Sequence, residues 1–381
     1  MLENAFSLMT YIVPFLLVLT ALIFVHELGH FWVARRAGVR VETFSIGFGR
    51  ELIGWTDRAG TRWKIGWLPL GGYVKMFGDA DAASTPDRAA ETGMTDADKA
   101  VSFHHKSLGW RAAIVAAGPM ANFLFAIVIF AALFLGHGRP VTAPVVGSVV
   151  EGMPADKAGM RGGDRIVAIN GQAIDRFEQI QRVVLLNLDS PLQVDLKRGD
   201  EAIRLALRPV IIEETDRLGN PMRLARLGIR SAGQREVEEI SSPTRAIWLA
   251  IEETWVQTVG SLQAVGQMIV GRRGADELSG PLGIAKVSGE AAQSSLSTLI
   301  ALAATLSISL GLINLFPIPM LDGGHLVFYA FEAVRGRPLG PRAQEYGFRL
   351  GLVLVVSLMV FATWQDLVRL RVVQFVVSLV S

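Results

Sequence analysis

Four apolar stretches decide what this chain of 381 residues can become. They run at about residues 8–34, 110–135, 296–316 and 347–364. Each is long enough, or nearly so, to cross roughly 30 Å of hydrocarbon as a helix. A further apolar tail, Val372–Val380, is too short to span alone. The remaining residues are not those of a wholly membrane-embedded chain. The composition is 51% hydrophobic and 19% charged, so a few spanning helices must be combined with at least one soluble module. The net charge of +2, with no basic stretch interleaved with aromatic residues, argues against nucleic acid as a partner. The absence of cysteine excludes disulfides and any thiol ligand or nucleophile.

The first stretch reads as a retained span rather than a signal peptide. No positive charge precedes it, no small-residue cleavage site follows it, and it runs directly into His26-Glu27-Leu28-Gly29-His30. Basic residues beside the spans set an expected topology. Arg35, Arg36 and Arg40 follow the first span, Lys106 and Arg111 open the second, and Arg335, Arg337, Arg342 and Arg349 lie between the third and fourth. These ends are expected on the cytoplasmic side, with residues 137–295 and both termini outside. Arg369 and Arg371 after the fourth span pull the other way.

Between the spans, residues 40–80 alternate apolar and polar with glycine punctuation and predict paired strands joined by Trp55–Gly60. Residues 80–105 have the composition of a polar, mobile loop. Residues 141–212 predict a compact domain of short strands and helices, with a hairpin about Arg198-Gly199-Asp200. Residues 243–275 are apolar on one face at helical spacing, with Trp248 and Trp255, and predict a helix lying on a membrane surface.

The chemistry concentrates in two places. His26 and His30 stand at i and i+4, one turn apart on one face, so both imidazoles can converge on one ion. Glu27 beside them can reach a metal-bound water and take its proton. Imidazole and carboxylate suit zinc, and two histidines with a glutamate at the end of an apolar span are costly without partners or a function. A catalytic zinc site needs a third protein ligand. Asp322, directly after the Pro317-Ile318-Pro319 break in the third span, is the best candidate, and the charge argument puts both span ends on the same side. His325 is a rival ligand, a partner to a ligand, or a hydrogen-bonded structural histidine. Asn314 can hydrogen-bond a substrate backbone or link helices. Gly118, Pro119 and Asn122 in the second span read as residues for close helix packing.

His26–His30 (HELGH) together with Asn314–His325 (NLFPIPMLDGGH) resembles the site-2 protease family of intramembrane zinc metalloproteases. Ser279–Lys286 (SGPLGIAK), Leu70–Met76 (LGGYVKM) and a PDZ-like region between the spans narrow the resemblance to the bacterial RseP-like branch, the regulator of sigma-E protease. One PDZ domain fits here, where longer members carry two in tandem. The resemblance implies a polytopic α-helical membrane protein of about four transmembrane helices with a membrane-associated β-loop and an inserted α+β PDZ domain. The expected parts are the first helix with HELGH (1–36), a β-loop and linker (37–107) and the second helix (108–136). They continue with the PDZ domain (140–212), a linker with the surface helix (213–294), the third helix with the LDGG motif (295–345), and the fourth helix with the tail (346–381). It further implies Zn2+ held by His26, His30 and Asp322, Glu27 as catalytic base, and substrate bound by Asn314, Gly71, Gly72 and Tyr73. The implied partners are the lipid bilayer and single-span membrane proteins, such as a trimmed anti-sigma factor or a signal-peptide remnant, in a bacterial inner membrane.

Two other readings compete on residues alone. A non-catalytic PDZ-bearing scaffold would hold a closed structural metal site with a fourth protein ligand such as His325. A metal transporter would need several intramembrane acidic or histidine residues along a path, and the sequence supplies essentially one cluster.

Overall fold

The computed structural model describes residues 2–79, 93–186, 190–215, 221–270 and 279–369. It divides into two compact units. The first is built from Met1–Ala132, Ile247–Gln263 and Ala275–Ser381, the second from Leu133–Ala246 and Ala264–Gly274.

The chain opens with helix α1 (Leu2–Arg36), followed by strands β1 (Val41–Thr56) and β2 (Arg62–Met76), a short helix α2 (Asp96–Val101) and helix α3 (Leu108–His137). Among the described residues, four helical stretches are long and apolar enough to cross a membrane: Met9–Arg36, Leu108–His137, Leu296–Asn314 and Arg342–Val368. They coincide, within a few residues at each end, with the four stretches read from the sequence. Leu17, Leu124 and Val353, on three of them, are each more than 60% exposed, as residues that face hydrocarbon rather than a protein core would be. The expected loop at 80–105 lies partly outside the described residues, and the apolar tail at 372–380 wholly so. Within 93–105 the chain is ordered by a capping box, in which the Thr95 hydroxyl accepts from the Asp98 N–H and the Asp98 carboxylate accepts from the Thr95 N–H.

β1 and β2 form the predicted pair, turning at Asp57–Thr61, where Asp57 Oδ1 accepts from the N–H groups of Ala59 and Thr61. The pairing is more elaborate than a hairpin. Phe44 stands opposite both Val74 and Trp63, and Ile46 opposite both Gly72 and Ile65. The first half of β1 therefore lies between the two halves of β2, and Gly72–Met76 becomes an outer edge. Phe44, Val41, Val74 and Met76 pack with Phe31 of α1 and Ile114 of α3 into one core. Each such side chain contributes about 1.5–3 kcal/mol when fully buried. Leu52, Ile53, Trp55 and Trp67, on the far part of the sheet, are exposed.

The second unit carries β3 (Arg139–Thr142), β4 (Val146–Val149), α4 (Pro154–Lys157), β5 (Arg165–Ile169), β6 (Gln172–Ala173) and α5 (Phe177–Leu186). β7 (Leu192–Arg198), β8 (Glu201–Leu207), β9 (Val210–Thr215), β10 (Pro221–Arg226), β11 (Ile229–Ser231) and β12 (Arg235–Glu238) follow. β6, β5, β7 and β8 make a four-stranded sheet, with the β7–β8 hairpin closing at Arg198 and Glu201 around the expected Gly199-Asp200 turn. Leu192, Val194 and Leu196 alternate inward from β7 and meet Ile180 and Val184 of α5. The expected boundary at 212 is too early. Residues 229–231 pair with β4 and residues 235–238 with β3, so the segment assigned to a linker belongs to this unit. Its short strands are completed by partners about 80 to 100 residues earlier, which local alternation does not reveal.

Asp164 fastens this unit. Its carboxylate is 0% exposed and accepts from Arg198 Nε and an Arg198 terminal nitrogen at 2.8 and 2.9 Å and from the Arg161 N–H at 2.8 Å. Burial pushes its pKa up, but the Arg198 and Arg161 bonds outweigh that and hold it below the ordinary carboxylate value. A depressed carboxylate stabilises the fold above its unfolded-state pKa, and the contribution is lost as pH falls through its folded value. Replacing Asp164 by Ala is expected to cost this unit about 2–3 kcal/mol at neutral pH, because Arg198 loses its partner. The loss relative to wild type should shrink in acid, which thermal unfolding at pH 7 and pH 3 would reveal.

The chain returns through α6 (Pro243–Ile269), α7 (Pro281–Ser294), α8 (Leu296–Asn314), α9 (Asp322–Arg335) and α10 (Pro341–Arg369). α6 is the predicted amphipathic helix. Leu249, Ala250 and Thr254 are buried, while Trp248, Ile251 and Trp255 are exposed. α7 covers the SGPLGIAK motif, a stretch also assigned to the linker. It packs along α1, and its first turn is capped from α10: the buried Asp366 carboxylate accepts from the N–H groups of Gly280 and Gly283 at 3.0 and 2.8 Å. A glycine-rich helix start whose capping carboxylate lies 86 positions later carries no local signal.

Candidate active site

α1 delivers His26 and His30 to a cavity of about 200 Å³. The third member arrives where α8 ends. The chain leaves the helix at Asn314, passes Pro317 and Pro319, and re-enters a helix at Asp322. Met320, in this passage, holds φ +87°, a left-handed value that an ordinary side chain disfavours by on the order of 1–3 kcal/mol. Gly323 and Gly324 let the first turn of α9 nest against the passage: a Cβ on Gly323 would stand 2.2 Å from the Phe316 carbonyl oxygen.

Asp322 Oδ2 lies 3.1 Å from His26 Nε2 and 3.5 Å from His30 Nε2, and the two Nε2 atoms are 3.2 Å apart. Four-coordinate zinc with bonds of roughly 2.0–2.1 Å would place its ligand atoms about 3.3 Å apart. The trio therefore fits the edges of such a tetrahedron. Asp322 Oδ2 is also buried without a hydrogen-bond partner, as an atom kept for a metal would be. His30 Nδ1 stands 2.8 Å from the Ile114 carbonyl oxygen, which can only accept. The proton is thus on Nδ1, and Nε2 is left with its lone pair.

Glu27 lines the same cavity. Its carboxyl lies near the Val74 N–H of the sheet edge and close to His30, His26 and Asp322. Gly72, Tyr73 and Asn314 also line the cavity. Gly72 brings the edge strand against α1: a Cβ there would meet Ile23 Cγ2 at 2.8 Å and Glu27 Cγ at 3.3 Å. Asn314 Nδ2 donates to the Leu310 carbonyl at 3.1 Å, one turn back in α8. Gly71, expected beside Gly72 in substrate binding, is not on the cavity wall. Its φ is +137°, and a Cβ would strike the Phe48 ring at 2.1 Å, so it shapes the strand behind the wall. His325 reaches the cavity but is not one of the three converging ligands; its ring packs near Phe348 and Tyr329 at centroid distances of 5.4 and 6.5 Å.

The sequence reading missed the contribution of α3. Ile114, Gly118 and Asn122 recur every four residues on the helix face that meets the two histidines. A Cβ on Gly118 would stand 2.3 Å from His30 Nε2 and 2.9 Å from His26 Cε1. Asn122 Nδ2 is 3.1 Å from His26 Nδ1. The i, i+4, i+8 spacing is visible in the sequence, but nothing there says which helix it faces.

A family model for peptidase family M50 matches residues 14–358. The chain belongs to peptidase family M50. Similar relatives match along nearly the whole length. Atu1380 of Agrobacterium fabrum, named as a zinc metalloprotease, is 48% identical over 361 residues, covering 94% of this chain and 95% of that protein. Metalloprotease MmpA of Caulobacter vibrioides is 40% identical over 387 residues, covering 96% and 97%. Among solved structures, the PDZ domain of the SdrC-like protein Lmo2051 from Listeria monocytogenes matches 24% of this chain and 87% of its own, with 21% identity and a TM-score of 0.19. The M50 protein described here is thus a zinc metalloprotease with four apolar helices and an inserted unit of short β-strands. As an enzyme it departs from the scaffold reading, and the donor cluster among the described residues is the open trio without His325.

Proposed function

We propose that this M50 protease works inside or at the edge of the bilayer and cuts the membrane segment of single-span proteins, as an RseP-like enzyme would. The substrates in view are anti-sigma factors or signal-peptide remnants in a bacterial inner membrane. The observation that carries this reading is the position of His26, Glu27 and His30 near the end of an apolar helix, beside a sheet edge. His26, His30 and Asp322 would hold the zinc. When bound, zinc would supply Lewis-acid polarisation of the scissile carbonyl and a water of lowered pKa. Glu27 takes a proton from the attacking water and passes it to the leaving amine.

A helical substrate keeps its scissile carbonyls in its own hydrogen bonds and must be unwound before attack. The edge at Gly72 and Tyr73 offers replacement partners by strand addition, with Asn314 lining the same cavity. Gly71 supports that edge from behind. The exposed apolar residues of β1 and β2 and the tryptophans of α6 suit contact with lipid. The basic residues at the HELGH end of α1 support a cytoplasmic side for this site, with the PDZ-like unit outside.

The experiment offers purified protein in detergent a panel of single-span peptides and soluble peptides, with and without a zinc chelator. Cleavage is expected in the single-span peptides, at least about 100-fold slower after chelation, and restored by zinc. Cleavage confined to soluble peptides would overturn the intramembrane reading. Cleavage indifferent to chelation would overturn the zinc site.

A further inference from the structure

Both polar atoms that the site leaves without partners flank a single ring. Asp322 Oδ2 stands on the Nε2 side of His26, and on the Nδ1 side lies the amide of Asn122, whose Oδ1 is buried without a hydrogen bond. Asn122 is 0% exposed, so no solvent relieves that oxygen. As drawn, its Nδ2 faces His26 Nδ1 at 3.1 Å. An amide donating there would force the ring proton onto Nε2, the nitrogen aimed at Asp322. The oxygen and nitrogen of an amide are assigned from the bonds they make, and a half-turn of the side chain exchanges them. After that half-turn the orphaned oxygen accepts from His26 Nδ1–H, and Nε2 keeps its lone pair. His30 already has this arrangement with the Ile114 carbonyl, two turns earlier on the same helix face.

We propose that Asn122 is a positioning residue that accepts a hydrogen bond from His26 Nδ1–H, so that Nε2 is free for the metal. The inference rests on the reading of His26 as a zinc ligand. The backbone of Asn122 is itself fixed, because its carbonyl accepts from the Ser307 hydroxyl of α8 at 2.9 Å. The amide is therefore presented to His26 from a helix clamped on its other side. Ligand histidines are commonly oriented in this way, and removing such an acceptor costs about 10–100-fold in metal affinity.

The test uses the full chain in detergent and measures cobalt(II) affinity by competition with a chelator, together with the visible cobalt spectrum and thermal unfolding. Asn122→Leu keeps the branching at Cγ but has no acceptor, and is expected to bind cobalt about 10–100-fold more weakly with an unchanged unfolding temperature. Asn122→Asp keeps an acceptor and is expected to stay within about threefold of wild type. Wild-type affinity in Asn122→Leu, or an equal loss in Asn122→Asp, overturns the inference and leaves the metal site standing. A wild-type chain that binds no cobalt overturns the metal reading and this inference with it. Should Asn122→Leu fail to fold, ring 15N shifts of zinc-loaded wild type decide the matter: a proton on His26 Nδ1 supports the proposal and a proton on Nε2 refutes it.

Discussion

Glu27→Gln should retain its zinc and lose cleavage by about 10²- to 10⁴-fold. Glutamine has the same shape, and its side-chain oxygen can sit where the glutamate carboxyl now lies near the Val74 N–H. What it lacks is a basic oxygen to take a proton from water. His26, His30 and Asp322 keep their mutual distances, so the metal content of the purified variant should equal that of wild type. Single-turnover cleavage of a single-span peptide, with zinc measured on the same preparation, separates the two effects. A variant within tenfold of wild-type rate would remove Glu27 from the role of base. A variant that loses zinc would make it part of the metal cradle instead.

Gly118→Val is expected to abolish metal binding from a helix that supplies no ligand. The added Cβ would stand 2.3 Å from His30 Nε2, where carbon and nitrogen need more than 3 Å. Either the ring swings away or α3 retreats, and both move Nε2 by far more than the ~0.2 Å that a zinc site tolerates. The expected loss in zinc affinity is at least about 100-fold, with cleavage lost in step. Gly109→Ala is the control. It lies on the same helix with open space around its missing Cβ, and it should leave zinc and rate unchanged. Full zinc in Gly118→Val would mean that the close approach of α3 to the histidines is not what the structure describes.

The features legible in the sequence are those set by local physics. Hydrophobic length marks the spans, the i and i+4 histidines mark a shared helix face, and the proline break marks where a carboxylate can leave the third span. Features set by distant partners were not legible. Asn122 looks like a packing residue until His26 stands against it. Gly71 looks like its neighbour Gly72, and only the Phe48 ring distinguishes them. Residues 229–238 look like a linker because their strand partners lie before Val150, and the helix at 281–294 is completed by Asp366. The half-strands of β1 and β2 read as one hairpin because alternation is identical whether a strand has one neighbour or two.

The residues that meet around the cavity are widely separated in chain order, and that order has a consequence during biosynthesis. The first two spans enter the bilayer carrying both imidazoles, while Asp322 has yet to leave the ribosome. A half-made chain can offer two nitrogens but not the third donor that a hydrolytic zinc centre requires. The set of donors for the metal is therefore incomplete until the third span and the residues just after it have been made.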